Sequence, residues 1–369
     1  MKLGRKILLG VASFFVLALA TLAIVLSYDS DCPPATGLAD GTPTVRALML
    51  RCYGTPSKVL RVERVEKPTP REGQVLIRVH ASSVNPAEWH RVTGAPYIMR
   101  LSSGIGAPEH HRVGFDVAGT VEAVGPGVTR FKAGDEVFGG VGGALAEYVI
   151  AQEQASLAPK PANMTFEEAA AMPIAAITAL QGLRDHGHIA AGHRVLVNGA
   201  SGGVGTYAVQ IAKAMGAEVT GVCSTRNLER VRAAGADHVI DYTRENFTEI
   251  DVRYDLILDN VGNHAYSALA GVAKPTGIIV TVGGPKSDPF LGPVWRIIGS
   301  KVASLYVDQP LPFFIAGINS PDLEFLADLV RQGKLRTFID RRYPLEQAGE
   351  ALDYIGSQRA RGKVVVTLL

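Results

Sequence analysis

The segment RVLVNGASGGVGTYAVQIAKAMGAEVTGVCST, Arg194 to Thr225, has the order strand, glycine turn, helix, strand, and it constrains the chain more than any other stretch. Val195, Leu196 and Val197 form a short apolar run, as expected of a parallel strand buried on both faces; Ala208, Ile211, Ala212 and Met215 then recur at helical spacing. Between them Ala200, Ser201, Gly202, Gly203, Val204 and Gly205 make an AxGxxG form of the dinucleotide fingerprint. Ala200 permits the tight turn, Gly202 lets the backbone approach a pyrophosphate, and Gly205 lets the helix pack closely on the strand. The amides that open the helix then face the phosphates. A glycine cluster alone would read equally well as an ordinary turn, and the flanking strand and helix are what point to a nucleotide.

An NAD-selective site places an acidic residue about 20 positions after the glycines to hold the adenosine ribose. Here Cys223, Ser224, Thr225 and Arg226 stand in that region. With hydroxyls and a guanidinium in place of a carboxylate, NADPH is expected over NADH, unless Arg226 is merely an exposed helix-start residue.

The same alternation continues through HVIDY from His238, YDLILDNVG from Tyr254 and GIIVTVGG from Gly277, which predicts a doubly wound parallel sheet. Asn260, Val261, Gly262 and Val282, Gly283, Gly284 end two of these strands, where a ligand of such a sheet would lie or where plain turns would do. Upstream, from Val45 to Pro161, short alternating strands such as KVLRVERV and QVLIRVHA read as antiparallel β. The tail from Phe313 predicts helices around Leu323–Val330 and Leu345–Ile355 and a last strand at Val364–Leu368.

A formal charge of +2 with no basic stripe excludes nucleic acid as an expected partner. Cys32, Cys52 and Cys223 suit neither a disulfide framework nor a zinc lobe; Cys32 could pair with Cys52 only in an oxidising compartment, and free thiols are the commoner reading. From Ile7 to Ser27 the chain carries no charge over about 20 residues, enough to cross a bilayer as a helix. A single-pass membrane anchor is the favoured reading, ahead of a cleaved signal peptide, which would make the protein secreted or periplasmic, and ahead of a core helix; the side of the membrane stays open. Residues 28–44, with Pro33, Pro34, Gly37 and Gly41, read as a flexible linker. Apolar residues from Phe290 to Ile298 read as buried core, with a substrate pocket, a dimer contact or a membrane contact as alternatives.

Taken together, SVNPAEW at Ser83, GFDVAGTVEAVG at Gly114, FKAGDEVFG at Phe131, AEYV at Ala146, the nucleotide segment and RGKVV at Arg361 resemble the medium-chain dehydrogenase/reductase superfamily, most closely its zinc-independent quinone oxidoreductase branch, the zeta-crystallin-like proteins. The resemblance implies an α/β chain: a GroES-like antiparallel domain over 45–165, a Rossmann domain over 166–312, and a return to the first domain over 313–369, after the anchor at 1–27 and the linker. It also allows a homodimer. Zinc-dependent relatives carry a cysteine where this chain has Asn85, and a glycine, histidine, glutamate run where it has Gly114, Phe115 and Asp116, so no zinc is expected. His110 and His111, as neighbours on an extended chain, point apart and make poor joint ligands.

By the same resemblance Asn85 is expected to face the nicotinamide, Tyr97 to sit on the loop covering it, and Thr178 to touch the nicotinamide side. Ser201, Gly203, Val204, Ser224, Tyr242, Asn260 and Lys363 would line the cofactor, with Tyr242 and Arg226 near the 2′-phosphate. The implied reaction is hydride transfer from NADPH to a quinone or an enone, with Asn85 or Tyr97 as donor to the developing oxygen. A 2-enoyl thioester reductase and a non-catalytic, membrane-docked NADPH-binding regulator are the alternatives.

Overall fold

The computed structural model describes residues 17–368 apart from 19, 36, 155 and 285–287. β1 (Thr44–Leu50) and β2 (Leu60–Glu66) pair antiparallel. β3 (Gln74–Val84) runs directly into α1 (Pro86–Thr93); β4 (Asp116–Val124), β5 (Glu136–Gly140), β6 (Tyr148–Gln152) and β7 (Leu157–Pro159) complete an antiparallel set around β3 and β4. This is the GroES-like sheet, and its inward valines, Leu145 and Leu157 form one core.

α2 (Pro173–Gln181) leads to the second sheet, in which β8 (Arg194–Asn198), β9 (Glu218–Cys223), β10 (His238–Asp241), β11 (Tyr254–Asp259) and β12 (Ala273–Thr281) are all parallel. The order β10-β9-β8-β11-β12 reverses between β8 and β11, which makes the carboxyl ends of those two strands the switch point of a Rossmann-like sheet. α3 (Gly203–Ala214) follows β8 and packs against α2 in a shared core. Beyond β12 the stretch Pro310–Phe313 lies where a further strand would pair: Ile279 donates to Pro310 and Thr281 to Pro312, but the prolines bring no amide of their own and only an isolated bridge forms.

α4 (Val294–Ala303) and α5 (Ser320–Arg331) precede β13 (Ile339–Pro344), α6 (Ala348–Gly356) and β14 (Lys363–Thr367). β14 pairs antiparallel with β3 and parallel with β13, so these two strands extend the first sheet. The strand β13 is not foreseen: IDRRYP has a half-exposed pattern without clean alternation.

The membrane anchor is corrected. Among the described residues no helix is long and apolar enough to cross a membrane. Of the apolar run, residues 7–16 and 19 lie outside the described residues. The described end is docked on the protein instead: Leu26 is buried and its carbonyl accepts from Arg100. The membrane location and membrane partnership built on that run therefore fall. The stretch read as a free linker is pinned as well, because Cys32 and Cys52 form a disulfide with Cα atoms 4.9 Å apart. Nor is the segment from Phe290 to Ile298 buried core, since Phe290, Trp295 and Ile298 are all substantially exposed.

Candidate active site

The dinucleotide corner is built as its glycines require. Gly199 takes a positive φ of 77° to turn the chain out of β8, and Ala200 is fully buried beneath β9. A Cβ on Gly205 would lie 2.2 Å from the Gly199 carbonyl oxygen and 2.7 Å from Ala200 Cα, so only glycine permits this helix-to-strand approach. A Cβ on Gly202 would meet only ordinary contact. Gly202 caps α3 without any side-chain hydrogen bond, which leaves the amides of Gly203, Val204 and Gly205 for an anion.

Around the switch point two buried acceptors, Asn260 Oδ1 and Asn227 Oδ1, have no hydrogen-bond partner among the described residues. Such atoms are costly unless a ligand donor reaches them, and ribose hydroxyls are donors of the right kind. Asn260 is fixed by its own amide, which donates to the Asn198 carbonyl at 3.0 Å, and Gly283 lies so close that a Cβ would come within 2.2 Å of the Asn260 carbonyl oxygen. Val261 and Val282 flank them, their amides held by the buried Asp259. The residues present thus fit a dinucleotide along this edge.

At the ends of β9 and β10, Asn227 Nδ2 donates to Ser224 Oγ at 3.1 Å, while Arg226 and Tyr242 are exposed. Asp241 sits beside Cys223 in the parallel register and accepts from the Thr225 and Thr243 hydroxyls, bonds that hold its carboxyl below the usual carboxylate range. Its charge is thereby spent on its own neighbours rather than presented to the groove.

Across the cleft lies a cluster of buried polar groups that local sequence signals do not reveal. Asn85, at the end of β3, gives its Nδ2 hydrogens to Asp116 Oδ2 at 2.9 Å and Glu88 Oε2 at 3.3 Å. Lys363 Nζ donates to Asn85 Oδ1 and lies 3.4 Å from Asp116 Oδ2. Asp116, fully buried, also accepts from Ser83 Oγ at 2.6 Å and from the amide of Ile174 in α2 at 3.0 Å. One turn on, Thr178 Oγ1 donates to the Ile174 carbonyl at 2.6 Å. The Lys363 stem rests against Gly203, where a Cβ would come within 3.2 Å of its Cδ. Asn85, Lys363 and Gly203, from three separate stretches of sequence, therefore meet at one junction between the two sheets, with Thr178 one helical turn from the Ile174 amide that anchors Asp116. Tyr97 stands apart from it, on a loop whose amides at Tyr97 and Ile98 donate to the carbonyls of Pro289 and Phe290.

Glu88 and Asp116 are the members that sequence reasoning did not assign a role. Glu88 reads locally as the ordinary capping-box acid of α1, and its carboxyl accepts from the Asn85 amide at 2.7 Å. Burial, with the nearby Asp116 carboxylate, pushes its carboxyl up to about 8, against the opposing pull of Lys363. The protonated form is thus the native one at neutral pH. Its stabilising effect is fully present below the unfolded value of 4.5 and is lost as pH rises through about 8. Glu88→Gln, which fixes the neutral form, is expected to gain stability over the parent by on the order of 1 kcal/mol per pH unit between pH 5 and 8, then level off. Urea denaturation across that range measures it, and parallel profiles for the two proteins would contradict it.

With this geometry in view, the comparisons are direct. Residues 71–162 match the family described as "Alcohol dehydrogenase GroES-like domain" and residues 234–366 the family described as "Zinc-binding dehydrogenase". The chain is 33% identical over 337 residues to the "Chloroplast envelope quinone oxidoreductase homolog" of Arabidopsis thaliana, covering 87% of this chain and 98% of that one. It belongs to the medium-chain dehydrogenase/reductase superfamily, quinone oxidoreductase branch. This medium-chain oxidoreductase is also 32% identical to the "NADPH-dependent alkenal/one oxidoreductase, chloroplastic" of Arabidopsis thaliana, over 84% of this chain and 76% of that one. Among solved structures, the quinone oxidoreductase from Coxiella burnetii superposes with a TM-score of 0.77 at 30% identity, covering 89% of this chain and all of that one. A nicotinamide cofactor follows from the family.

Proposed function

We propose that this oxidoreductase uses NADPH to reduce quinones or α,β-unsaturated carbonyls, and that it does so without zinc. The observation that carries the reading is the buried Asn85–Asp116–Lys363 set. A zinc site needs free anionic or imidazole donors, whereas here an ammonium already balances the Asp116 carboxylate and occupies the Asn85 carbonyl. Among the described residues no group of three histidine, cysteine or acidic side chains is arranged to hold a metal ion. Alcohol oxidation, which relies on a metal to polarise the alcohol, is poorly served by such a site; an enone or quinone carbon is already electrophilic. The relatives named a quinone oxidoreductase homolog and an alkenal/one oxidoreductase support the same substrate class.

NADPH supplies the hydride when bound, and the chain supplies position and a hydrogen-bond donor for the oxygen that gains charge. Both amide hydrogens of Asn85 are committed inside the cluster. The Tyr97 hydroxyl has no hydrogen-bond partner among the described residues and is the better donor. Asn85 then acts by fixing Lys363 against Gly203. For the cofactor, Arg226, Ser224 and Tyr242 favour NADPH because an exposed guanidinium and hydroxyls match a 2′-phosphate.

The test is steady-state turnover with NADPH or NADH on a panel of enones, quinones and enoyl thioesters. NADPH-driven reduction of enones or quinones is expected, with kcat lowered on the order of 100-fold in Tyr97→Phe. Turnover confined to enoyl thioesters would move the assignment to that class, and equal use of NADH would remove the 2′-phosphate argument.

A further inference from the structure

Arg100 is 1% exposed, yet nothing in the proposed reaction uses it. Four of its N–H donors are occupied. Nε donates to the Gly94 carbonyl at 2.7 Å; Nη1 donates to the carbonyls of Leu26 and Tyr28, both at 2.9 Å; Nη2 pairs with Asp29 Oδ1 at 2.9 Å. Three of these four acceptors belong to one short amino-terminal stretch. The same guanidinium lies 4.4 Å from the centre of the Tyr53 ring and 4.7 Å from that of Tyr97. The stretch also bonds to the loop after Tyr97: the Ser30 amide donates to the Gly106 carbonyl at 2.9 Å, and Asp29 bridges Gly106. Its far end is tied by the Cys32–Cys52 disulfide, one residue before Tyr53.

We propose that the segment from Leu26 to Cys32 is a releasable strap on the active-site cover, locked by the Cys32–Cys52 disulfide and acting on Tyr97 through Arg100 as a positioning residue. The inference rests on the reading of Tyr97 as a substrate-facing group. With the strap in place, a buried guanidinium is nearly satisfied and holds the Tyr97 ring from one side. With the strap gone, Arg100 loses three of its acceptors, and a buried cation with unmet donors must be rehydrated. Rehydration draws the guanidinium toward the water that replaces the strap and away from the Tyr97 ring it supports, so release of the strap loosens the cover.

The chemical trigger is thiol–disulfide exchange with a dithiol. One reagent thiolate attacks a sulfur of the pair to give a mixed disulfide, the second displaces the remaining protein sulfur from it, and Cys32 on the strap and Cys52 on the body are left as thiols while the reagent becomes a cyclic disulfide; two electrons and two protons pass to the protein. Reduction does not unfold the body, because the two sheets and their cores contain neither Cys32 nor any other disulfide among the described residues.

The full chain is assayed before and after treatment with dithiothreitol, with free thiols counted. Amide hydrogen exchange of residues 97–106 is followed in parallel. Reduction is expected to speed exchange in that loop and to raise KM for an enone about tenfold with kcat within about twofold, as when one tenth of the molecules hold a competent loop. Cys32→Ser should show the same values without reductant and no further response to it. Asp29→Asn should shift KM in the same direction with the disulfide intact, which separates the Arg100 contact from the covalent tie. If thiols appear on reduction while loop exchange and KM stay unchanged, or if the air-oxidised chain holds no disulfide, the strap proposal is wrong. Should no enone be turned over at all, the functional reading fails while the exchange measurement still decides the strap.

Discussion

Gly205→Val is expected to lose on the order of 100-fold in NADPH affinity, because the valine must push α3 off β8. Its Cβ would start 2.2 Å from the Gly199 carbonyl oxygen, with Ala200 Cα and carbonyl carbon within 2.8 Å behind it. Relief needs about 1 Å of movement, and where geometry must be held such a shift costs on the order of 100-fold. The shift acts directly on the amides proposed to face the pyrophosphate, so binding should suffer more than folding, for which overpacking costs about 1–3 kcal/mol. Gly271→Ala is the control: nothing lies within 4 Å of its added carbon, and its backbone is not in the left-handed region. Fluorescence titration with NADPH and thermal melting of both variants separate the two effects. Native affinity in the valine variant would mean that this corner does not hold the cofactor.

Lys363→Met is the second large effect. It leaves Asp116, wholly buried, without its cation, and breaking a buried pair from one side costs about 3–5 kcal/mol. The same change removes the group that joins Asn85 to Gly203, so turnover should fall with stability. Adding Asp116→Asn to the methionine variant should recover about 1–3 kcal/mol, because the uncompensated charge is gone. Turnover should not return with it. Denaturant midpoints for the two single variants and the double variant close the cycle, and strict additivity would show that the two side chains do not interact.

How much of this was legible in the sequence depended on how local each signal was. The strand β8, its glycine turn and α3 lie within one continuous stretch, and the apolar runs of β10 to β12 mark strands buried on both faces. The cluster is the opposite case. Lys363 and Asn85 stand 278 residues apart, and only the pairing of β14 with β3 brings them together. No periodicity records that Glu88 turns inward, because an acid in the first turn of a helix is ordinary on a surface. Resemblance named Asn85 and Lys363 but not the carboxylates that hold them. The amino-terminal run misled for a related reason. Hydropathy reports what a segment could bury, not what it meets, and here the end of the run meets Arg100 rather than lipid.

Because β13 and β14 are made after β12 yet sit in the first sheet, that sheet is finished only after the parallel one has been synthesised. On a ribosome the parallel half, a contiguous stretch, can assemble while the antiparallel half still waits for its missing edge. A nascent protein would thus own its parallel sheet before it owned the lysine that bridges Asn85 and Asp116. A stop ahead of Lys363 would strand it in that half-built condition.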